Sequence, residues 1–131
     1  MNLAKIIFDE KSDGLEIPDL KELDQVLDQA HFNALNSLPT IVSIEMHNAL
    51  LYIGLGLEKS FIHFMSSNNE PPYFSSLGDN DLDGVISFYL HGNHHTEIQR
   101  KNLIPLDKAR FIVATFFQTG IRSEIVSWEE V

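Results

Sequence analysis

The spacing of apolar residues changes twice along this chain, and this change constrains the fold more than any other feature. An early helix face is marked by Leu20, Leu23, Leu27 and Ala30, at intervals of three and four residues. From residue 41 onward the apolar residues instead form short, β-branched runs separated by turn residues. Helical spacing returns at Ala109, Ile112, Val113, Phe116 and Phe117. The sequence therefore predicts two helices with a series of strands between them.

Capping residues indicate where these helices begin and end. Asp19 is suited to be an N-cap, and Glu22 lies at the capping-box spacing from it, so the first helix should start there and end within residues 33–40. The second helix should span residues 106–118, because a proline precedes it and Gly120 stands where a C′ glycine ends a helix.

The remaining periodic segments predict strands. They cover residues 5–8, 41–46, 50–55, 61–64, 73–77, 85–90 and 125–131. Short strands joined by turn-length connections favour antiparallel pairing over crossover connections. The sequence thus predicts an α+β fold in the order β-α-β-β-β-β-β-α-β. We expect a mostly antiparallel sheet of about six or seven strands, with the two main helices packed on one face.

The charge of the chain limits the partners that it can bind. Nineteen Asp and Glu oppose nine Lys and Arg, which gives a net charge of −10 with neutral His. A field of this sign repels nucleic acid and anionic membranes and attracts basic partners. A small basic group, Arg100, Lys101, Lys108 and Arg110, does not reverse that balance. We therefore expect no direct binding of nucleic acid and no membrane association.

Length and cysteine content predict one domain in a reducing compartment. A chain of 131 residues suits a single core, so residues 1–131 are interpreted as one domain. The sequence has no cysteine, which excludes disulfides, a thiolate zinc site and a cysteine nucleophile. The N-terminal residues lack a signal-peptide pattern, and no apolar run approaches the roughly 18 residues of a membrane span. We expect a soluble, cytoplasmic protein.

An acidic segment has part of the pattern of a calcium-binding loop. Carboxylates stand at its first, third and fifth positions: Asp79, Asp81 and Asp83. Gly84 holds the sixth position, but Leu90 replaces the bidentate glutamate of the twelfth. A complete site would need an outside ligand, for which Glu97 is a candidate. A hydrated, acidic hairpin turn explains the same residues without calcium.

Three imidazoles follow within five residues: His91, His94 and His95. Together they could surround zinc, with Glu97 as a base or an orienting group. The order does not match the helical H-E-x-x-H pattern, however, and neighbouring side chains of an extended segment point apart. A polar loop at a strand end is the alternative interpretation, and we predict no metal ligand among these residues.

No catalytic signature accompanies these groups. The chain lacks a G-x-S-x-G elbow, a dinucleotide-binding glycine pattern and a Gly-Lys-Ser/Thr phosphate loop, so we predict no catalytic residue and no cofactor. The remaining class of function is binding to a partner protein. Trp128 and Glu129, together with the acidic segment, offer aromatic and anionic contacts for it. The predicted partner-binding residues are Asp79, Asp81, Asp83, Glu97, Trp128 and Glu129.

The second half of the chain resembles a known family. The motifs that carry the resemblance are Pro71-Pro72-Tyr73, Gly78-Asp79 with Asp83-Gly84, Thr96-Glu97, Leu103-Ile104-Pro105, Ala109, Phe116-Phe117, Thr119-Gly120 and Trp128. In their order and spacing they are similar to the immunity proteins of bacterial polymorphic toxin systems, and more narrowly to the first-numbered family of those inhibitors. The His94-His95 pair and the bend at Arg122-Ser123-Glu124 depart from the family pattern.

The resemblance implies a non-catalytic inhibitor that binds a cognate toxin and protects the producing cell. Several members of that family accompany toxins that deaminate or cut nucleic acid, so the implied partner is a protein toxin with a basic nucleic-acid-binding cleft. Two alternatives stay open from the residues alone. One is a metal-binding enzyme that uses the histidines and acids, and the other is an acidic adaptor protein.

Overall fold

The fold is described by a computed structural model of the chain, which covers residues 3–8 and 14–131. Within these residues the chain forms eleven strands, two α-helices and one short 3-10 helix. In chain order they are β1 (Ala4–Ile7), β2 (Leu15–Ile17), α1 (Leu20–Leu35), β3 (Thr40–Met46), β4 (Ala49–Leu55), β5 (Lys59–Ser60), β6 (Ile62–Ser66), β7 (Phe74–Leu77), β8 (Val85–Leu90), β9 (His94–Gln99), the 3-10 helix Arg100–Asn102, β10 (Ile104–Pro105), α2 (Leu106–Thr119) and β11 (Ser127–Glu130).

Nine of the described strands form one sheet. Its main path runs β11-β7-β6-β4-β3-β1-β2, and the hairpin of β8 and β9 branches from β3. The pairing is antiparallel except where Thr40 and Ile41 of β3 pair in parallel with the end of β8. The short strands β5 and β10 pair with each other. The predicted α+β class with a mostly antiparallel sheet is confirmed.

Both helices pack on one face of this sheet, as the sequence predicts. The main core lies between them and strands β3, β4 and β6, whose inward side chains include Val42, Leu51 and Ile53. Arg110 of α2 bonds across to α1, with its Nη1 2.9 Å from Asp28 Oδ1. No helix among the described residues is long and apolar enough to span a membrane.

The hairpin of β8 and β9 covers part of the opposite face. A second cluster of buried residues, Ile41, Phe61, Phe88 and Ile98, fills the space beneath it. Gly54 of β4 makes this packing possible, because a Cβ there would lie 2.7 Å from the Phe88 ring and 2.9 Å from the Phe61 ring. A glycine in a strand commonly marks such a close approach.

The predicted helix ends are confirmed to within a few residues. Asp19 caps α1 and accepts a hydrogen bond of 2.8 Å from the Glu22 N–H. At the end of α2, Gly120 adopts a left-handed conformation with φ of 70°, and its N–H donates to the Phe116 carbonyl. This conformation is much less costly for glycine than for other residues.

The predicted order of elements omits four strands, β2, β5, β9 and β10. Three of them have only two or three residues, too few to show a period. The fourth is a clearer error, because the interpretation of His94 and His95 as part of a polar loop is wrong: they begin β9. Most side chains of β9 are exposed, so its sequence lacks the apolar alternation that predicts a strand.

Candidate functional site

The acidic loop, defined here as residues 79–83, connects β7 to β8 and presents its three carboxylates to solvent. Asp79, Asp81 and Asp83 are all exposed. Asp79 shapes the turn, since its Oδ1 accepts a 3.0 Å hydrogen bond from the Asp81 N–H and its carbonyl accepts one of 3.1 Å from the Leu82 N–H. Such side-chain turns fix the local backbone.

Two backbone hydrogen bonds close the base of this loop against the 3-10 helix. The Gly78 N–H donates to the Lys101 carbonyl at 2.8 Å, and the Arg100 N–H donates to the Gly84 carbonyl at 2.9 Å. Gly78 is sterically required, because a Cβ there would lie 1.9 Å from the Leu103 carbonyl oxygen. The acidic loop is therefore anchored at both ends.

The geometry does not assemble the suggested calcium site. Glu97, the candidate outside ligand, pairs in register with Ser87 on the next strand. Ser87 lies three residues beyond Gly84, which follows the loop. At the spacing of residues in a strand, Glu97 therefore lies on the order of 10 Å from the end of the loop. Across residues 3–8 and 14–131, no three His, Asp or Glu side chains are arranged to hold a metal ion.

The three histidines lie at separate positions on the hairpin. His91 stands in the turn between β8 and β9, where its Nε2 lies 2.7 Å from Ser43 Oγ. His95 faces the other way, with its Nε2 2.8 Å from Ser87 Oγ. His94 precedes it on β9, so their side chains point to opposite faces of the strand. The suggested zinc site is thus not assembled by this part of the chain.

One face of the hairpin points away from the sheet. Its side chains alternate along the strands with the inward-facing Phe88 and Ile98. This outer hairpin face comprises Val85, Ser87, Tyr89, His95, Glu97 and Gln99. Tyr89 and His95 pack together, with ring centroids 5.5 Å apart. Glu97 is exposed beside them. An aromatic group among polar, exposed side chains is typical of binding surfaces.

Trp128 is half-buried and packs against the main core. Its Nε1–H donates to the Ser123 carbonyl at 2.9 Å, and the Arg122 guanidinium lies 4.9 Å from its ring centroid. The same guanidinium lies 4.5 Å from the Phe74 ring centroid. Trp128 therefore has internal partners that fasten the last strand to the sheet, and only part of its surface remains for a binding partner.

Glu129 has internal partners as well. Its Oε2 accepts a 2.8 Å hydrogen bond from Lys101 Nζ, and its Oε1 lies 3.4 Å from Asn102 Nδ2. These two hydrogen bonds lower the pKa of the Glu129 carboxyl, because they favour its charged form. Glu129 thereby ties β11 to the 3-10 helix that also anchors the acidic loop.

A groove of about 480 Å³ opens beside the acidic loop and was not evident in the sequence. Lys59, Arg100 and Lys108 line it together with apolar side chains, and among the described residues Asp79 contributes the one lining carboxylate. We call it the basic groove. Arg100 and Lys108 belong to the basic group noted in the sequence, but Lys59 comes from a distant β-strand, and only the pairing of β5 with β10 brings it close. Arg110 turns away to α1.

Comparison with known protein families identifies a relationship. The sequence matches the protein family described as Immunity protein Imm1 over residues 11–130, which includes the acidic loop, the hairpin and the basic groove. No curated protein matches the sequence.

Proposed function

Because this chain belongs to the Imm1 family of immunity proteins, whose role is to neutralise toxins, we propose that its target is a bacterial protein toxin acting on nucleic acid. In this proposal the acidic loop enters the basic cleft that holds the substrate of the toxin. The chain acts as one domain over residues 1–131, by binding and without catalysis, in the cytoplasm of the cell that produces it.

The observation that supports this target is the display of Asp79, Asp81 and Asp83 on a single exposed turn. An enzyme that acts on nucleic acid needs Lys and Arg to bind phosphate groups. Closely spaced carboxylates can take the places of successive phosphates in such a cleft. The net charge of −10 adds a long-range attraction that speeds the encounter with a basic partner.

The anchored base of the loop supports the same proposal. Gly78 and Gly84 fix both of its ends to the 3-10 helix, and Asp79 fixes the turn within. A loop that is already ordered loses less conformational entropy on binding than a mobile one. The carboxylates are therefore positioned before the partner arrives.

The outer hairpin face extends the proposed surface through Glu97 and Tyr89, which can contact the toxin beside its cleft. Trp128 and Glu129 belong to the margin of this surface. The Glu129 side chain is 25% exposed, and its bond to Lys101 supports the 3-10 helix beneath the acidic loop. We propose that these two residues act mainly by holding the surface in place.

Co-purification with the toxin domain encoded next to this gene tests the proposal, since genes of polymorphic toxin systems lie side by side. We expect a stable complex and loss of toxin activity when DNA and RNA are offered as substrates. A complex with a toxin that modifies neither DNA nor RNA would refute the nucleic-acid target but keep the immunity role. Free toxin with full activity would refute the pairing altogether.

A further inference from the structure

The basic groove contrasts with the charge of the rest of the molecule. In a chain with nineteen acidic residues, three of the nine Lys and Arg line this one groove. Lys59, Arg100 and Lys108 reach it from three different elements, β5, the 3-10 helix and α2. Their convergence is a product of the fold and not of a run in the sequence.

These three cations have no ion-pair partner in the part of the chain that the structure describes. No carboxylate oxygen there lies within 4.0 Å of their charged nitrogens. By contrast, Lys101 pairs with Glu129 and Arg110 pairs with Asp28. The groove cations therefore add no ion pair to the fold, and their charge remains available to a ligand.

The groove also exposes apolar surface. Leu82 is 39% exposed and Ile125 is 45% exposed, whereas Ile104, which also lines the groove, is buried. Apolar side chains next to unpaired cations fit a ligand that is itself acidic and apolar. A polypeptide segment with an Asp or Glu beside an aliphatic or aromatic residue has this chemistry.

We propose that the basic groove binds an acidic, apolar segment of the toxin, while the neighbouring acidic loop binds the basic cleft. Asp79 lines the groove and also begins the acidic loop, so the two surfaces are continuous. Two adjacent contacts of opposite charge allow only one orientation of the partner and reject partners that lack the matching pattern. This inference rests on the proposed function.

Other occupants fit the basic groove less well. A nucleic acid strand carries a negative charge at every phosphate, so the net charge of −10 repels it more strongly than it repels a toxin segment with a single Asp or Glu. A second copy of this chain would bring another net charge of −10 against the first, which opposes self-association.

Carbodiimide cross-linking of the complex tests the contact directly, because this reagent joins an ammonium group to a carboxylate that touches it. We expect peptides that join Lys59 or Lys108 to an Asp or Glu of the toxin domain encoded next to this gene. Lys21 is an equally exposed control outside the groove and should give no such peptide. Cross-links to the toxin only from lysines outside the groove would overturn the inference.

Charge reversal gives a second, independent measurement. Lys108→Glu and Lys21→Glu make the same change near the start of α2 and of α1, so their effects on helix stability should match. We expect Lys108→Glu to weaken toxin binding by at least about tenfold, and Lys21→Glu by less than about twofold, in titration calorimetry. Circular dichroism would verify that both variants are folded.

The outcomes separate this inference from the function on which it rests. If the wild-type chain binds no toxin, both proposals fail. If it binds and Lys108→Glu behaves like Lys21→Glu, the inference fails while the immunity role stands. Two further results would overturn the inference, because each would assign the groove to another occupant. One is binding of a single-stranded oligonucleotide, and the other is self-association of the free chain, in each case lost in Lys108→Glu.

Discussion

The two faces of the central sheet differ in how much they bury. On the helix face, twenty of the described residues form a continuous buried core that joins both helices to the sheet. On the opposite face, the apolar cluster beneath the β8–β9 hairpin has four buried members among the described residues: Ile41, Phe61, Phe88 and Ile98. Since buried apolar area supplies most of the stability of a fold, the helix face stabilises the molecule. The hairpin face leaves its outer surface free for recognition.

This difference makes the hairpin face sensitive to single substitutions. Its small cluster has few neighbours that can compensate for a lost side chain, and the acidic loop depends on two backbone hydrogen bonds, at Gly78 and Gly84.

Phe88→Ala should cause the largest loss. Phe88 is fully buried and packs edge-on against Phe61, with ring centroids 5.3 Å apart. Its truncation should lower the free energy of unfolding by about 3–5 kcal/mol, measured by urea denaturation. Phe111→Ala is the control, since Phe111 is 51% exposed. A loss for Phe88→Ala no larger than that of the control would mean that the hairpin does not depend on this cluster.

Gly78→Ala should destabilise the base of the acidic loop. The added Cβ would meet the Leu103 carbonyl oxygen, and relieving that overlap should cost about 1–3 kcal/mol. Gly84→Ala is a matched comparison at the other end of the loop. It meets only the flexible Arg100 side chain at 3.6 Å, but its φ of 92° should cost about 1 kcal/mol. Thermal unfolding that ranks Gly84→Ala as the more damaging change would contradict this account of the loop.

Acid should weaken the molecule through two histidines, one on each face of the sheet: His31 on helix α1, and His63, whose ring packs edge-on against Phe61. Burial lowers the pKa of His63, and burial together with the Arg110 charge lowers the pKa of His31 despite an opposing effect of Asp28. Both pKa values thus lie below the unfolded value of 6.5, so the stabilisation is complete above pH 6.5 and is lost as the pH falls below it.

His31→Gln measures one of these two contributions. His31 Nδ1 accepts the Gly56 N–H at 2.9 Å, and the glutamine amide oxygen can replace that acceptor without titrating. The unfolding free energy of the variant should change less steeply between pH 6.5 and 5, where each proton taken up contributes at most about 1.4 kcal/mol per pH unit. Equal slopes for variant and wild type would show that His31 does not contribute.

Glu129→Gln should have the smallest effect on the free energy of unfolding. The pH dependence of this effect should appear at a lower pH than that of the two histidines. The Lys101 and Asn102 hydrogen bonds lower the pKa of Glu129 below its unfolded value of 4.5. Its contribution is therefore present above pH 4.5 and is lost as the pH falls through the folded pKa. At pH 7 the variant should lose no more than about 1 kcal/mol, because both side chains of the ion pair are partly exposed. A difference that persists unchanged at pH 3 would contradict the assignment.

Much of the fold was predictable because its signals are local. The extent of β8 was predicted without error, and α2 was placed to within one residue at its C-terminal end. An apolar period, a capping aspartate and a C′ glycine each report on a few neighbouring residues. The α+β class and the helix-covered face follow from the same patterns.

What could not be predicted depends on contacts between distant residues. The branch at β3 joins Thr40 to Tyr89, and no local pattern indicates a parallel pair of that kind. The polar strand β9 exists because β8 pairs with it. The basic groove requires Lys59 to meet Lys108 through two short strands.

The predicted site residues also divide into those that the structure leaves exposed and those that contact distant residues of the chain. Asp79, Asp81, Asp83 and Glu97 are exposed, and their role in binding stays a prediction. Trp128 and Glu129 were chosen for residue type, but that type does not reveal internal partners such as Ser123 and Lys101.

The rate of association with the toxin would measure recognition through the acidic loop. The triple variant Asp79→Asn, Asp81→Asn and Asp83→Asn keeps the side-chain acceptor at Asp79 that shapes the turn while removing three charges. The control, Glu16→Gln, Glu45→Gln and Glu70→Gln, removes three exposed charges elsewhere. Stopped-flow mixing at low salt should show an association rate at least about tenfold lower for the Asp variant than for the control. Equal rates for the two variants would contradict recognition through the acidic loop.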